Sequence, residues 1–425
     1  MHAPSRLAFF LLVLFLAPLS LRAQQMPVAA PEELGFSTQR LERLTDVLQG
    51  YVDRGQMSGS VVLVARHGQI AYLKAFGQRD VESSAPMPED AIFRIASQSK
   101  ATVSVAIMML QEEGKLLISD PVSTYIPEFA NTTVAVPKEG GGYDVVPAKR
   151  PITLRDLLTH TAGIGYGGGP AADQWKEAGI QGWYFADRDE PVGATVARMG
   201  ALPMDAQPGE RFVYGYNTDI LGAVVEKASG MPLDAFLRER LFEPLGMNDT
   251  HFYLPTNKTG RLATVYSSKE DGSGIEKAPD PGHMVGQGMY VKGPRKSFSG
   301  GAGLLSTARD YAAFLQMMLD GGVGNGHRIL SPKSVELMTV SHLRDIPYGT
   351  PGVGFGLGFS VLEDLGDRGT PGTLGEFGWG GAYHSTYWVD PKEDLVVVYF
   401  TQLIPARQID DHDKLRVAIY QALLE

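Results

Sequence analysis

Ser97 and Lys100 stand three residues apart in the segment IASQSKATVSVAIMML, residues 95–110. Residues at that spacing share one face of a helix. A serine at a helix N-terminus sits where developing negative charge is favoured. A lysine held beside it and partly desolvated loses its proton near neutral pH and serves as a base. The combination is a serine–lysine pair for nucleophilic attack on an acyl group. The chain has 15 lysines, and only Lys100 has a serine three positions before it. The apolar run that follows buries the helix and so fixes the pair. The competing reading is a helix cap beside a surface lysine.

The elements around this pair follow from patterning. Residues 60–77 (SVVLVARHGQIAYLKAFG) read as two strands joined at His67-Gly68. A helix follows from about 97 to 113 and stops at Gly114. Leu41, Leu44 and Leu48 give residues 36–50 helical spacing. Helices are also expected at 221–229, 233–242 and 307–322, and a last one at about 413–424. Strands are expected at 355–362, 385–390 and 394–403, and long loops at 137–150 and 164–182. Strands thus lie at both ends of the chain and helices in its middle. The economical arrangement is an α+β fold: one antiparallel sheet built from both ends, flanked by the first and last helices. The sheet lobe would take about 32–114 and 295–425. An inserted, mainly helical lobe would take about 115–294, with the site in the cleft between them.

Composition limits the function classes. The chain has 425 residues, 44% hydrophobic and 20% charged, which is globular. A net charge of −10 speaks against a nucleic-acid partner, because phosphate binding needs a basic face. Cysteine is absent, which excludes disulfides, a cysteine nucleophile and thiolate metal sites. The apolar run LAFFLLVLFLAPLSL at 7–21, preceded by Arg6, reads as a secretory signal peptide cleaved after Ala23. Pro18 and its short length argue against a membrane span. No cysteine follows it to carry a lipid, so no stable membrane anchor is expected after cleavage. Residues 24–425 would form the mature chain, periplasmic or extracellular, with net charge −12 once Arg6 and Arg22 are lost.

Six segments, in order, resemble the serine β-lactamase and penicillin-binding-protein superfamily. They are FRIASQSK (93–100), ITLRDLLTHTAGI (152–164), QPGERFVYGYNTDILG (207–222), LFEPLGMNDTHF (241–252), SGGAGLLSTARDYAAF (299–314) and GWGGAYHSTYWVDP (378–391). The likeness spans about residues 32–424 and is nearest to class C β-lactamases and the family VIII carboxylesterases. It implies a β-lactamase/transpeptidase-like fold and a Ser97 acyl-enzyme. It also implies a functional tyrosine, taken as Tyr214 from its distance to the Asp219-Ile220-Leu221-Gly222 helix start, with Tyr216 as the alternative. That phenol would share a proton network with Lys100, activate Ser97 and return a proton to the leaving group. Tyr216 then occupies the family's asparagine position and Asn217 comes one residue late. Both are counted as pocket residues.

The family's Lys-Thr-Gly element is replaced. A literal Lys258-Thr259-Gly260 lies in a loop-like stretch and is rejected; Trp379-Gly380-Gly381 stands at the expected place. The two glycines would let the strand approach the acyl group closely. By the same resemblance, the backbone N–H groups of Ser97 and Ala382 would form the oxyanion hole. Trp379 offers an apolar wall and one N–H donor where a lysine would offer a cation to a carboxylate. Losing such a charge-assisted contact costs about 1.5–3 kcal/mol, roughly 10- to 150-fold. The pocket should therefore favour neutral esters over β-lactams.

The remaining chemistry is thin. His160 is read as structural, since no Gly-x-Ser-x-Gly elbow supports a Ser–His–Asp triad. His384 is read as a solvated strand residue. Nine histidines without close spacing give no metal site, and no P-loop or dinucleotide fingerprint implies a cofactor. The alternatives on the same machinery are a β-lactamase, a D-amino-acid peptidase or an acyltransferase. A non-enzymatic sensor of β-lactams or peptidoglycan would show acylation without turnover.

Overall fold

The eight residues Gly59–Arg66 (β1) are all buried and pair antiparallel with Gln69–Asp80 (β2). The turn at His67 and Gly68 has φ of 52° and 70°. Both central residues are left-handed, as the type I′ hairpin turn requires. The computed structural model describes residues 26–424; the proposed signal peptide lies outside them. Ala85–Pro86 (β3) pairs beside β2, and the C-terminal part adds Val353–Phe355 (β4), Ser360–Leu362 (β5), Phe377–Gly381 (β6), Ser385–Asp390 (β7) and Leu395–Thr401 (β8). These form one eight-stranded sheet in the order β4-β5-β6-β7-β8-β1-β2-β3, antiparallel at every junction. The first and last thirds of the chain meet where β1 pairs β8, from Ser60–Thr401 to Arg66–Leu395. The expected α+β sheet from both chain ends is thus present.

Helices cover both faces of the sheet. Thr38–Asp53 (α1) buries Leu41, Leu44, Leu48 and Tyr51. These pack with Leu415 and Ile419 of the last helix over Val62, Val64, Val397 and Tyr399. On the other face, Ser99–Glu112 (α2) is buried on every residue from Ser99 to Leu110. A helix apolar all round belongs inside the core. Asn217–Ser229 (α3) and Ala308–Leu319 (α4) pack in the same core. The helix that completes the sheet's first face is Asp411–Tyr420 (α5).

Three expected segments differ, the first being the expected loop at 164–182, which holds a short helix at Ala172–Glu177. Residues 355–362 are two short strands around a turn at 356–359, with Gly358 at φ 97°. Glycine supplies that backbone without strain. The expected loop at 137–150 contains half of a hairpin, Thr133–Pro137 with Tyr143–Pro147, turning on Gly140–Gly142 at positive φ. Both strands end on a proline, Pro137 and Pro147, and three consecutive glycines join them, a composition that reads as loop.

Candidate active site

Ser97 sits in a single 3-10 turn, Ala96–Gln98, that leads directly into α2. Ala96 before it holds φ of 42°, an uncommon value for a residue with a Cβ. The turn is pinned from below: Ile95 N–H donates to Leu304 O (3.0 Å), and the Tyr311 hydroxyl to Gln98 O (2.8 Å). Lys100, one turn on, is 2% exposed. Its Nζ donates to Ser97 Oγ (3.3 Å), Tyr166 OH (3.1 Å) and Gly301 O (2.7 Å). Three acceptors match the three protons of an ammonium. Nζ also lies 4.6 Å from the centre of the Tyr214 ring. The pairing of serine and lysine read from spacing is therefore realised in space.

Tyr214 precedes α3 by three residues, and α3 packs in the α2 core, so the helix pair delivers this ring to Lys100. The Tyr214 hydroxyl accepts a 3.2 Å hydrogen bond from Trp379 Nε1 of β6. Its ring stands 4.7 Å from His160 and 5.8 Å from Tyr166, centre to centre. Burial pushes the Tyr166 phenol well above its ordinary range, with Tyr214 adding to the effect. Tyr166 is thus held neutral as a fixed dipole between Lys100 and the cleft.

A cavity of about 720 Å³ opens over this cluster, lined by Ser97, Tyr166, Tyr214, Trp379, Gly380, Gly381 and Ala382. Trp183, Tyr348 and the exposed face of Trp379 give it aromatic walls. A Cβ built on Gly381 would lie 2.6 Å from Ile95 O. Only glycine permits this approach of β6 to the Ser97 turn. It brings the Ala382 and Ser97 backbones to the same cavity.

Two expected pocket residues lie behind the cavity instead. Tyr216 is fully buried, and its hydroxyl donates to Gly182 O (2.7 Å) while its ring stacks on Trp175. Asn217 is fully buried as well; Nδ2 donates to Ile164 O and Val213 O and pairs with His160 Nδ1 (2.9 Å). Residues two apart around the start of a helix point in different directions, so of Tyr214 and Tyr216 only Tyr214 reaches Lys100. His160 is structural: it is 1% exposed, and burial together with the Lys100 charge holds its imidazole well below the usual range. Lys258, Thr259 and Gly260 form a 3-10 turn remote from the cleft, where Lys258 pairs with Asp249. His384 is half-buried against the cavity and does not lie in a strand. It occupies the turn between β6 and β7 at φ 62°, with Nε2 2.6 Å from Asp411 Oδ1.

Three contributors were missed in the sequence. Tyr166 comes from the 164–182 loop, where only a general pocket-shaping role was expected. Gly301 comes from the SGGAGL motif. Asp219 lies behind it: Oδ1 accepts from Ser299 Oγ (2.6 Å) and from Gly301 N–H (3.0 Å). These bonds fix the backbone at Gly301, and Ser299 Oγ in turn accepts from the Ala302 N–H (3.1 Å) of the peptide whose carbonyl receives Lys100. A Cβ on Gly301 would meet Asp219 Oδ2 at 2.4 Å, which explains the glycine.

The comparisons agree with this geometry. The family model described as Beta-lactamase matches residues 44–421. Protein Rv1367c of Mycobacterium tuberculosis is 34% identical over 84% of this chain and 89% of its own. Esterase EstB of Burkholderia gladioli is 31% identical over 84% and 89%. The solved structure titled "EstCE1, a hydrolase with promiscuous acyltransferase activity" superposes with a TM-score of 0.77 at 30% identity, over 90% of this chain and 99% of that one. Sequence likeness over nearly the whole fold, together with a buried lysine reaching the serine at the head of its central helix, makes this chain a member of the beta-lactamase family, related to its esterases, and a serine hydrolase.

Proposed function

We propose that the protein hydrolyses small, uncharged carboxylic esters through an acyl-enzyme on Ser97. The carrying observation is Trp379, an aromatic wall that donates to the Tyr214 hydroxyl where a cation would suit a carboxylate. Tyr214 takes the proton of Ser97 Oγ, acting with Lys100, whose Nζ lies 3.3 Å from that oxygen and 4.6 Å from the centre of the Tyr214 ring. The tetrahedral oxyanion is bound by the Ser97 and Ala382 N–H groups. The protonated Tyr214 then returns its proton to the leaving alkoxide. Water repeats the sequence on the acyl-enzyme and frees the acid. Transfer of the acyl group to an alcohol is a second reading, supported by the likeness to EstCE1 and by a cavity with room for an acceptor.

The test is intact-protein mass spectrometry after p-nitrophenyl butyrate and, separately, a penicillin, with turnover followed in parallel. Ester turnover with a transient butyryl adduct on Ser97, both lost in Ser97→Ala, is expected. A stable penicilloyl adduct without ester turnover would move the assignment to a penicillin-binding protein or sensor.

The same reading includes export. The 7–21 run and Ala23 support a mature chain beginning at Gln24 in the periplasm or medium. N-terminal sequencing of the protein expressed from the full-length chain checks it; an intact Met1 on a cytoplasmic product would refute it.

A further inference from the structure

Behind the turn that carries Ala382, two distant parts of the chain bring metal-ligand chemistry together. His384 lies in the turn between β6 and β7, and Asp411 and His412 open α5. One donor atom from each lies within 4.8 Å of the other two. His384 and His412 line the same cavity as Ser97. Asp411 is fully buried, with Oδ1 against His384 Nε2 (2.6 Å) and Oδ2 accepting from the Tyr399 hydroxyl (2.7 Å). His412 Nε2 lies 3.2 Å from the His384 carbonyl oxygen. A carbonyl only accepts, so Nε2 carries the proton and Nδ1 holds the lone pair. The two imidazoles stack with centres 4.1 Å apart.

We propose that His384, Asp411 and His412 bind one divalent transition-metal ion of the zinc type, with its open coordination position toward the catalytic cleft. The donor set is two imidazoles and one carboxylate, which suits zinc and leaves a fourth position for water. Zinc holds such donors at about 2.0–2.2 Å, so tetrahedral neighbours stand about 3.3 Å apart. Ring and carboxylate atoms that lie within 4.8 Å of one another draw together to that spacing as the two rings splay from their stack. The ion replaces the proton shared by His384 Nε2 and Asp411 Oδ1. Tyr399 OH on the free carboxylate oxygen and the His384 carbonyl on His412 Nε2 are the outer partners that orient metal ligands. His384 and His412 are separated by 27 intervening residues, so no local spacing announced the site. A purely structural pin between α5 and the turn needs only the His384–Asp411 bond; it does not need His412 beside it with a lone pair.

The experiment uses untagged Ser97→Ala protein, so its outcome is independent of the esterase reading. Calorimetric titration with Zn²⁺ should show one equivalent bound in the micromolar range or tighter. Co²⁺ in its place should give the visible bands of a tetrahedral site. His412→Ala and, as a gentler variant, His412→Gln should each weaken binding by about tenfold or more while the thermal midpoint without metal stays near the parent's. Binding of less than one equivalent at saturating micromolar Zn²⁺, or equal affinity in both His412 variants, would overturn the proposal.

Discussion

Trp379 Nε1 donates a 3.2 Å hydrogen bond to the Tyr214 hydroxyl, joining β6 to the segment before α3 in the wall of the cavity. Both partners of this bond face the substrate. Replacing the indole therefore changes the proton acceptor and the wall of the pocket together. Trp379→Phe keeps the wall and removes the donor; kcat/KM for p-nitrophenyl butyrate should fall about 3- to 10-fold, the worth of one neutral hydrogen bond. Trp379→Lys supplies a cation. The ratio of nitrocefin to butyrate kcat/KM should rise by about 10-fold or more. An unchanged ratio would remove the physical basis for preferring neutral esters.

The two tyrosines of the Tyr214-Gly215-Tyr216 stretch should separate cleanly. Tyr214→Phe should cost about 10²–10⁴-fold in kcat, the range of a lost general base. Tyr216→Phe should leave kcat near the parent value. It strands the Gly182 carbonyl and should lower stability by about 1 kcal/mol in urea unfolding. Comparable kcat losses in both would contradict the geometry.

Gly301→Ala tests the Lys100 support. Its Cβ would press Asp219 Oδ2 at 2.4 Å and displace the carbonyl that receives Nζ. Overpacking of this kind costs about 1–3 kcal/mol. We expect a lower thermal midpoint and a fall in kcat with little change in KM, read from the same preparation.

Stability should decline on mild acidification. Burial holds His160 well below its ordinary pKa of 6.5 and lowers His251 to about 4. Below pH 6.5 the unfolded chain binds protons that the folded chain does not, so stability falls as pH drops from 6.5 toward 4. Thermal midpoints between pH 7.5 and 4.5 measure this. His251→Gln should flatten the slope between pH 6.5 and 4; an unaltered slope would show that His251 is not held neutral.

The sequence by itself determined the serine–lysine pair, the hairpin read at 60–77, the central buried helix and the return of strands at the C-terminal end. These are set within short windows. Ser97 and Lys100 are one turn apart, β1 and β2 share a two-residue turn, and α2 carries a dense apolar run from Val103 to Leu110 broken only by Ser104. The replacement of a cation by Trp379 was also legible, because motif order locates it. Spacing to the α3 start favoured Tyr214 over Tyr216, and tertiary structure separated them: the direction the chain takes into α3 puts Tyr214 beside Lys100 and Tyr216 behind the cavity. Tertiary structure alone brought Tyr166 to Lys100 across 66 positions, Gly301 across 201, and Asp411 to His384 across 27. Hydrogen bonds and ligand clusters of that kind depend on packing between elements, and neither hydrophobic period nor local spacing encodes which side chains meet there.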